Sequence, residues 1–222
     1  MSPNRAARAT GDRVRSHTIP RPAVQRISLY LRHLELLAER NVATVSSGEL
    51  AEALMITAAQ VRKDLAYLGQ FGRPGVGYRV GPLGDALRHI LGTDRTWSVI
   101  VVGAGDLGRA LLRYKGFTRK GFMVVGAFDI SAAKIGKQFG PARVQHLDEM
   151  PDVVARFNVR LAALAVPPEA AQEVTDRLCA AGIRGILNFA PTMLQVPPGV
   201  AVHPVDLAAS MEQLAFRITA RR

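Results

Sequence analysis

From residue 23 onward, apolar side chains recur every three or four positions. Ile27, Tyr30, Leu31, Leu34 and Leu37 form one stripe of an amphipathic helix. Residues 41–45 break the pattern. Ser46 and Glu49 match a capping box, which predicts a second helix with Leu50, Leu54 and Met55 on its apolar face. Thr57 and Gln60 repeat that spacing, so a third helix is expected to reach about Leu68. Three short helices, the last two joined by a tight turn, describe a helix-turn-helix module. Residues 71–80 set three glycines and Pro74 among apolar positions, the pattern of a β-hairpin or wing. A helix over 83–91 with Gly92 just past its end is expected to follow.

The texture changes at Trp97. Residues 98–102 (Ser-Val-Ile-Val-Val) read as a strand buried on both faces of a parallel sheet. Residues 122–128, 161–166, 185–189 and 200–202 read as further strands, with helices over 109–114 and 169–181. The alternation predicts an α/β fold: a winged helix-turn-helix unit, then a Rossmann-type doubly wound parallel sheet. Leu207, Met211, Leu214 and Ile218 give the last stretch a helical stripe. The organisation expected is a basic tail (1–22) without fixed structure, a winged-helix domain (23–94), a dinucleotide-binding domain (95–205) and a C-terminal helix (206–222).

Composition narrows the class. Hydrophobic residues make up 48% of the 222, enough for a core, which excludes wholesale disorder. The longest apolar run, residues 161–166, is far short of the ~18 a membrane span needs. The single cysteine, Cys179, excludes an internal disulfide and a cysteine-based zinc site. A cytoplasmic protein with no metal and no membrane association is expected. The net charge of +11 suggests nucleic acid, but residues 1–26 alone carry +5 of it. Bulk charge therefore does not locate a DNA-binding surface.

Gly103-Ala104-Gly105-Asp106-Leu107-Gly108 follows a predicted buried strand and opens a predicted helix. In that context the first glycine permits a tight turn, the second lets backbone amides approach a pyrophosphate, and the third allows close helix–strand packing. Asp129 lies 21 residues past Gly108, where an acid accepts hydrogen bonds from a ribose diol and repels a 2′-phosphate. NAD(H) is therefore favoured over NADP(H). A ligand-free βα turn is the plainer reading of the glycines, but packing does not require Asp129. Lys134 reads either as an adenosine contact or as an exposed helix lysine. Pro167, Asn188 and Phe189 stand at C-terminal strand ends, where open α/β sheets bind ligands. Phe189 reads as core or as a nicotinamide contact.

Catalytic residues are not evident. Hydride transfer needs a placed acid or base. Of His17, His33, His89, His146 and His203, only His203 follows a strand of the sheet, and His146 falls in a stretch read as irregular. Tyr114 is followed directly by Lys115, so no Tyr-x-x-x-Lys pair forms there. Cys179 reads as a small core residue.

On the third helix, Val61, Leu65 and Leu68 share one side. Lys63 points away from them, flanked by Ala59, Gln60 and Tyr67, with Arg62 at the margin. Gln pairs bidentately with adenine, and Lys and Arg reach guanine or phosphate. Arg73 and Arg79 lie in the wing, suited to a minor groove. A solvated helix face is the bland alternative.

With both halves read, the chain resembles the Rex family of redox-sensing transcriptional repressors. The segments that carry the resemblance are 45–47 (Val-Ser-Ser), 59–65 (Ala-Gln-Val-Arg-Lys-Asp-Leu), 71–78, 90–92, 103–108, 128–129, 134–136 and 181–191, which contains Gly-Ile-Leu-Asn-Phe-Ala-Pro. The resemblance implies NADH/NAD+ at the glycine turn, Asp129 and Lys134, with Pro167, Asn188 and Phe189 nearby. It implies operator DNA against Ser47, Ala59, Gln60, Arg62, Lys63, Arg73 and Tyr78, and a homodimer tied by the C-terminal helix. Asp106 stands where the family often has Asn, Ser131 where a second acid often follows, and Pro74 where many members carry a basic wing residue.

The expected protein is a homodimeric, non-enzymatic repressor that holds operator DNA when NADH is scarce and releases it when NADH binds. The alternatives are an NAD-dependent oxidoreductase with an N-terminal oligomerisation module, and a Rossmann unit for another nucleotide such as coenzyme A.

Overall fold

The computed structural model describes residues 19–69, 71–73 and 75–220. Most of the basic tail, and Pro74, lie outside the described residues. The chain divides into two compact units between Asp94 and Arg95.

In the first unit α1 spans Arg21–Glu39 and buries Ile27, Tyr30, Leu31 and Leu34, the stripe read from the sequence. It starts two residues earlier than expected, because Arg21 and Pro22 occupy its first turn, where proline's missing N–H has no bond to lose. β1 (Thr44–Val45) falls inside the stretch that breaks the first helical pattern; α2 (Ser47–Ala53) and α3 (Ala58–Ala66) follow. The Ser46 capping box is present in full: the Glu49 N–H donates to Ser46 Oγ at 3.1 Å, and the Ser46 N–H donates to Glu49 Oε2 at 2.7 Å. The expected box at Thr57 is only half formed. Thr57 Oγ1 accepts from the Gln60 N–H, but the Gln60 side chain turns inward to Asp64 instead.

β2 (Gly72–Arg73) and β3 (Gly77–Arg79) form the wing hairpin, and β1 pairs with β3 on its other side. α4 runs Val80–Leu91, three residues longer at its start than expected, since Pro82 is tolerated in a first turn. Gly92 ends it in the left-handed conformation. Val61 and Leu65 of α3 and Leu83 and Leu87 of α4 close over the α1 stripe to make one core.

The second unit is built on β4 (Trp97–Val102), α5 (Asp106–Leu112), α6 (Lys115–Arg119), β5 (Phe122–Asp129), β6 (Gln138–Phe139) and β7 (Ala142–His146). A 3-10 turn, α7 (Met150–Arg156), β8 (Leu161–Leu164), α8 (Pro168–Ala181), β9 (Gly185–Asn188), β10 (Ala201–Pro204) and α9 (Leu207–Thr219) complete it. The sheet order is β10-β9-β8-β4-β5-β7-β6, parallel except for β6, which pairs antiparallel with β7. Neighbours in β4 point to opposite faces: Ile100 and Val102 join a core with Val174 and Leu178 of α8, while Val101 joins Ala127, Val144 and Leu112.

Strand order reverses between β4 and β8, which opens a crevice at their C-terminal ends. Residues 138–146, read as irregular, form the β6–β7 edge hairpin, so His146 ends a strand that pairs with Asp129 in register. Among the described residues, no helix is long and apolar enough to cross a membrane, and no three His, Cys, Asp or Glu side chains group as metal ligands.

Candidate functional site

The turn after β4 stands in the crevice. Gly103 adopts φ +97°, and a Cβ there would overlap the Ala165 carbonyl oxygen beyond β8. A Cβ on Gly108 would overlap the Gly103 carbonyl oxygen, so both glycines are demanded by the fold. Gly105 differs. Its φ of −72° suits any residue, and a Cβ there would meet nothing within 4 Å. Neither backbone nor packing requires a glycine at 105, and the space above it is open to a ligand. The site therefore fits a dinucleotide diphosphate at the position the motif predicts.

Asp129, at the end of β5, is 8% exposed. Its carboxylate accepts from the Ala104 N–H at 2.7 Å, the Ser131 N–H at 2.9 Å and Lys134 Nζ at 2.9 Å. Burial pushes its pKa up, but the Ser131 and Ala104 amides and the Lys134 ammonium outweigh burial and hold it below the usual carboxylate range. Asp129 was expected not to be required by packing; its bond to the Ala104 N–H nevertheless ties the glycine turn to β5. Oδ2 takes two of these bonds and Oδ1 one, which leaves Oδ1 an acceptor position for a ribose hydroxyl. Lys134 lies in a turn rather than on a helix, paired with Asp129. Asp106 and Leu107 are exposed at the start of α5, and Asp106 pairs with Arg109.

Across the crevice, exposed Pro167 precedes α8. Asn188 is buried, donating to the carbonyls of Ala190 and Thr192 and accepting from the Ala190 N–H. Its side chain shapes the loop after β9. Phe189 is half-buried and packs on the core cluster that contains Val101 and Ala104. His203 is exposed on the edge strand β10, and burial pushes the Cys179 thiol pKa up.

On the first unit, α3 presents Ala59, Arg62 and Lys63 to solvent. Arg62 donates to Ser47 Oγ of α2 at 3.0 Å. Burial raises the Tyr78 pKa, and the Arg62 cation partly offsets that rise. Tyr78 pairs in register with Val45, two residues before Ser47. Lys63 makes no ion pair with a described residue. Gln60 is half-buried, and its amide nitrogen donates to Asp64 Oδ1 at 2.8 Å. That bond draws on the amide group that bidentate pairing with adenine would use. The Arg73 backbone lies in β2; its side chain is outside the described residues.

Sequence reading missed Asp64 as a buried group, naming it only within the 59–65 segment. The signal was present: an acid at the spacing of the buried stripe, three residues from Val61 and four from Leu68.

The family described as "Putative DNA-binding protein N-terminus" matches residues 18–66, and "CoA binding domain" matches residues 94–192. The chain is 48% identical over 200 residues to the redox-sensing transcriptional repressor Rex of Carboxydothermus hydrogenoformans, covering 90% of this chain and 96% of that protein. It is 47% identical over 202 residues to Rex of Streptomyces avermitilis, covering 91% and 80%. Among solved structures, RSP in complex with β-NAD+ and operator DNA superposes with a TM-score of 0.87 at 36% identity, covering 91% of this chain and 94% of that one. RSP in complex with β-NADH gives 0.83 at 35% identity, covering 92% and 96%. The two Rex relatives are named as transcriptional repressors rather than enzymes. At this identity, over nine-tenths of its length, the chain belongs to the Rex family of redox-sensing transcriptional repressors.

Proposed function

We propose that this chain holds operator DNA through α3 and the wing, binds NAD(H) at the glycine turn, and leaves DNA when NADH binds. The observation that carries the reading is Gly105, a glycine that the fold does not require, open beside a carboxylate with one acceptor position left. Ala104, Asp106 and Leu107 would offer backbone to the diphosphate, and Asp129 would meet the adenosine ribose. Phe189 and Asn188 would border the nicotinamide.

Lys63 is the exposed cation best suited to a base edge, and Arg62, Ser47 and Tyr78 suit phosphate. Two copies joined through α9 would present two such helices about 34–36 Å apart, one turn of DNA. NADH can lower DNA affinity only by binding one arrangement of the dimer better than the other, and DNA must then weaken NADH binding by the same factor.

The test is fluorescence anisotropy of a labelled candidate operator from the gene's own upstream region, at fixed salt because phosphate contacts are salt-dependent. Binding that NADH abolishes and NAD+ spares supports the switch. Binding indifferent to both nucleotides sinks it. Competition of NADH by coenzyme A tests the other nucleotide reading.

A further inference from the structure

We propose that Arg109 is a diphosphate-binding residue, held at the glycine turn by Asp106, and that this pair sets the absolute affinity for both cofactor forms without changing their ratio. The inference rests on the NAD(H) reading above.

Asp106 is the first residue of α5, directly after open Gly105, and its side chain is 97% exposed. A lone carboxylate there would repel the diphosphate. Its partner is Arg109, one helical turn on, whose Nη2 donates to Asp106 Oδ1. Residues 103–108 contain no lysine or arginine, so Arg109 is the first cation after the turn. Its guanidinium lies 5.6 Å from the centroid of the Phe139 ring on β6, which braces it. With five N–H donors, the guanidinium keeps donors for a phosphate oxygen while it holds Asp106. The pair thus turns a repulsive acid into an anchor for a phosphate-binding cation.

The diphosphate is common to NADH, NAD+ and ADP-ribose. A change at this pair must therefore move all three affinities by a similar factor, shifting the concentration at which the switch responds and leaving discrimination to the nicotinamide end.

Isothermal titration of the full-length protein with ADP-ribose, NADH and NAD+ tests this, with thermal melting as the check on folding. Arg109→Ala is expected to weaken all three roughly tenfold, as loss of a hydrogen bond between charged groups does. Arg109→Lys is expected to recover part of the loss, and Asp106→Asn to tighten all three severalfold. An Arg109→Ala protein that melts normally and binds all three within twofold of the wild type overturns the proposal. So does a change confined to NADH. Wild-type protein that binds none of the three overturns the NAD(H) reading itself.

Discussion

Arg26 of α1 and Asp64 of α3 form a bidentate ion pair across 38 residues of chain, with Nε to Oδ2 at 2.6 Å and Nη2 to Oδ1 at 2.8 Å. Asp64 is 1% exposed and also accepts from the Tyr30 hydroxyl at 2.7 Å and the Gln60 amide at 2.8 Å. Four donors thus satisfy a carboxylate that burial alone would neutralise. α3 is fixed to α1 through this group.

Removing one partner of such a pair leaves a buried charge uncompensated. Arg26→Met is expected to destabilise the first unit by about 3 kcal/mol, the low end of the range for a broken buried pair, since Arg26 keeps part of its side chain in water. Urea unfolding followed by the first unit's helix signal measures it. A loss below about 1 kcal/mol would mean that the pair behaves as a surface contact.

The same network predicts a pH dependence. Burial raises the Asp64 pKa, but the bonds from Arg26, Tyr30 and Gln60 outweigh it, and the folded pKa lies below the ordinary value. The unfolded chain then binds the proton more readily, so the stabilisation is present above about pH 4 and is lost as pH falls through the folded pKa. Urea midpoints are expected to stay level from neutral pH to about pH 5 and to fall below that. In Asp64→Asn, starting from lower stability, the acid-side loss is expected to shrink.

Lys63 and Gln60 separate reading DNA from building the helix. Lys63→Ala is expected to weaken operator binding by about 1–3 kcal/mol if Lys63 meets a base, with unchanged thermal melting. Gln60→Ala is expected to lower melting as well, because it strips a donor from buried Asp64. Anisotropy and melting curves on both variants decide the matter. Equal loss of melting temperature in the two would remove the distinction.

The glycines make a second contrast. Gly108→Ala forces a Cβ onto the Gly103 carbonyl and is expected to impair folding of the second unit. Gly105→Ala meets nothing in the fold, and is expected to melt like the wild type while binding NADH at least tenfold more weakly, about 1.4 kcal/mol. Tight NADH binding by Gly105→Ala would remove the observation on which the cofactor reading rests.

Much of this was legible in sequence because buried strands and helices carry regular apolar periods. Val99 to Val102 could be placed because both faces of β4 are covered. The β6–β7 hairpin was not legible: β6 is two residues long, and β7 sets Arg143 and His146 among its apolar positions at the sheet's margin. Glycine spacing located the turn, but only the three-dimensional packing separated Gly105 from its neighbours. The inward turn of Gln60 was hidden because helical period alone sets direction, and a buried carboxylate can draw a flanking amide in.

α9 carries the remaining prediction. Leu207, Met211, Leu214 and Ile218 recur at helical spacing, yet all four are exposed, with Met211 at 66%. In the proposed dimer, this amphipathic helix would gain burial from a second copy. Met211→Glu with Leu214→Lys is expected to give monomers by sedimentation while both units keep their melting transitions. Operator affinity is then expected to fall by about 10²-fold or more, because the second half-site no longer binds at high effective concentration. Variants that remain dimeric would assign the contact to another surface. Monomers that still bind the operator tightly would mean that one copy of α3 suffices, and the reading of the switch as a choice between two arrangements of the dimer would fail with it.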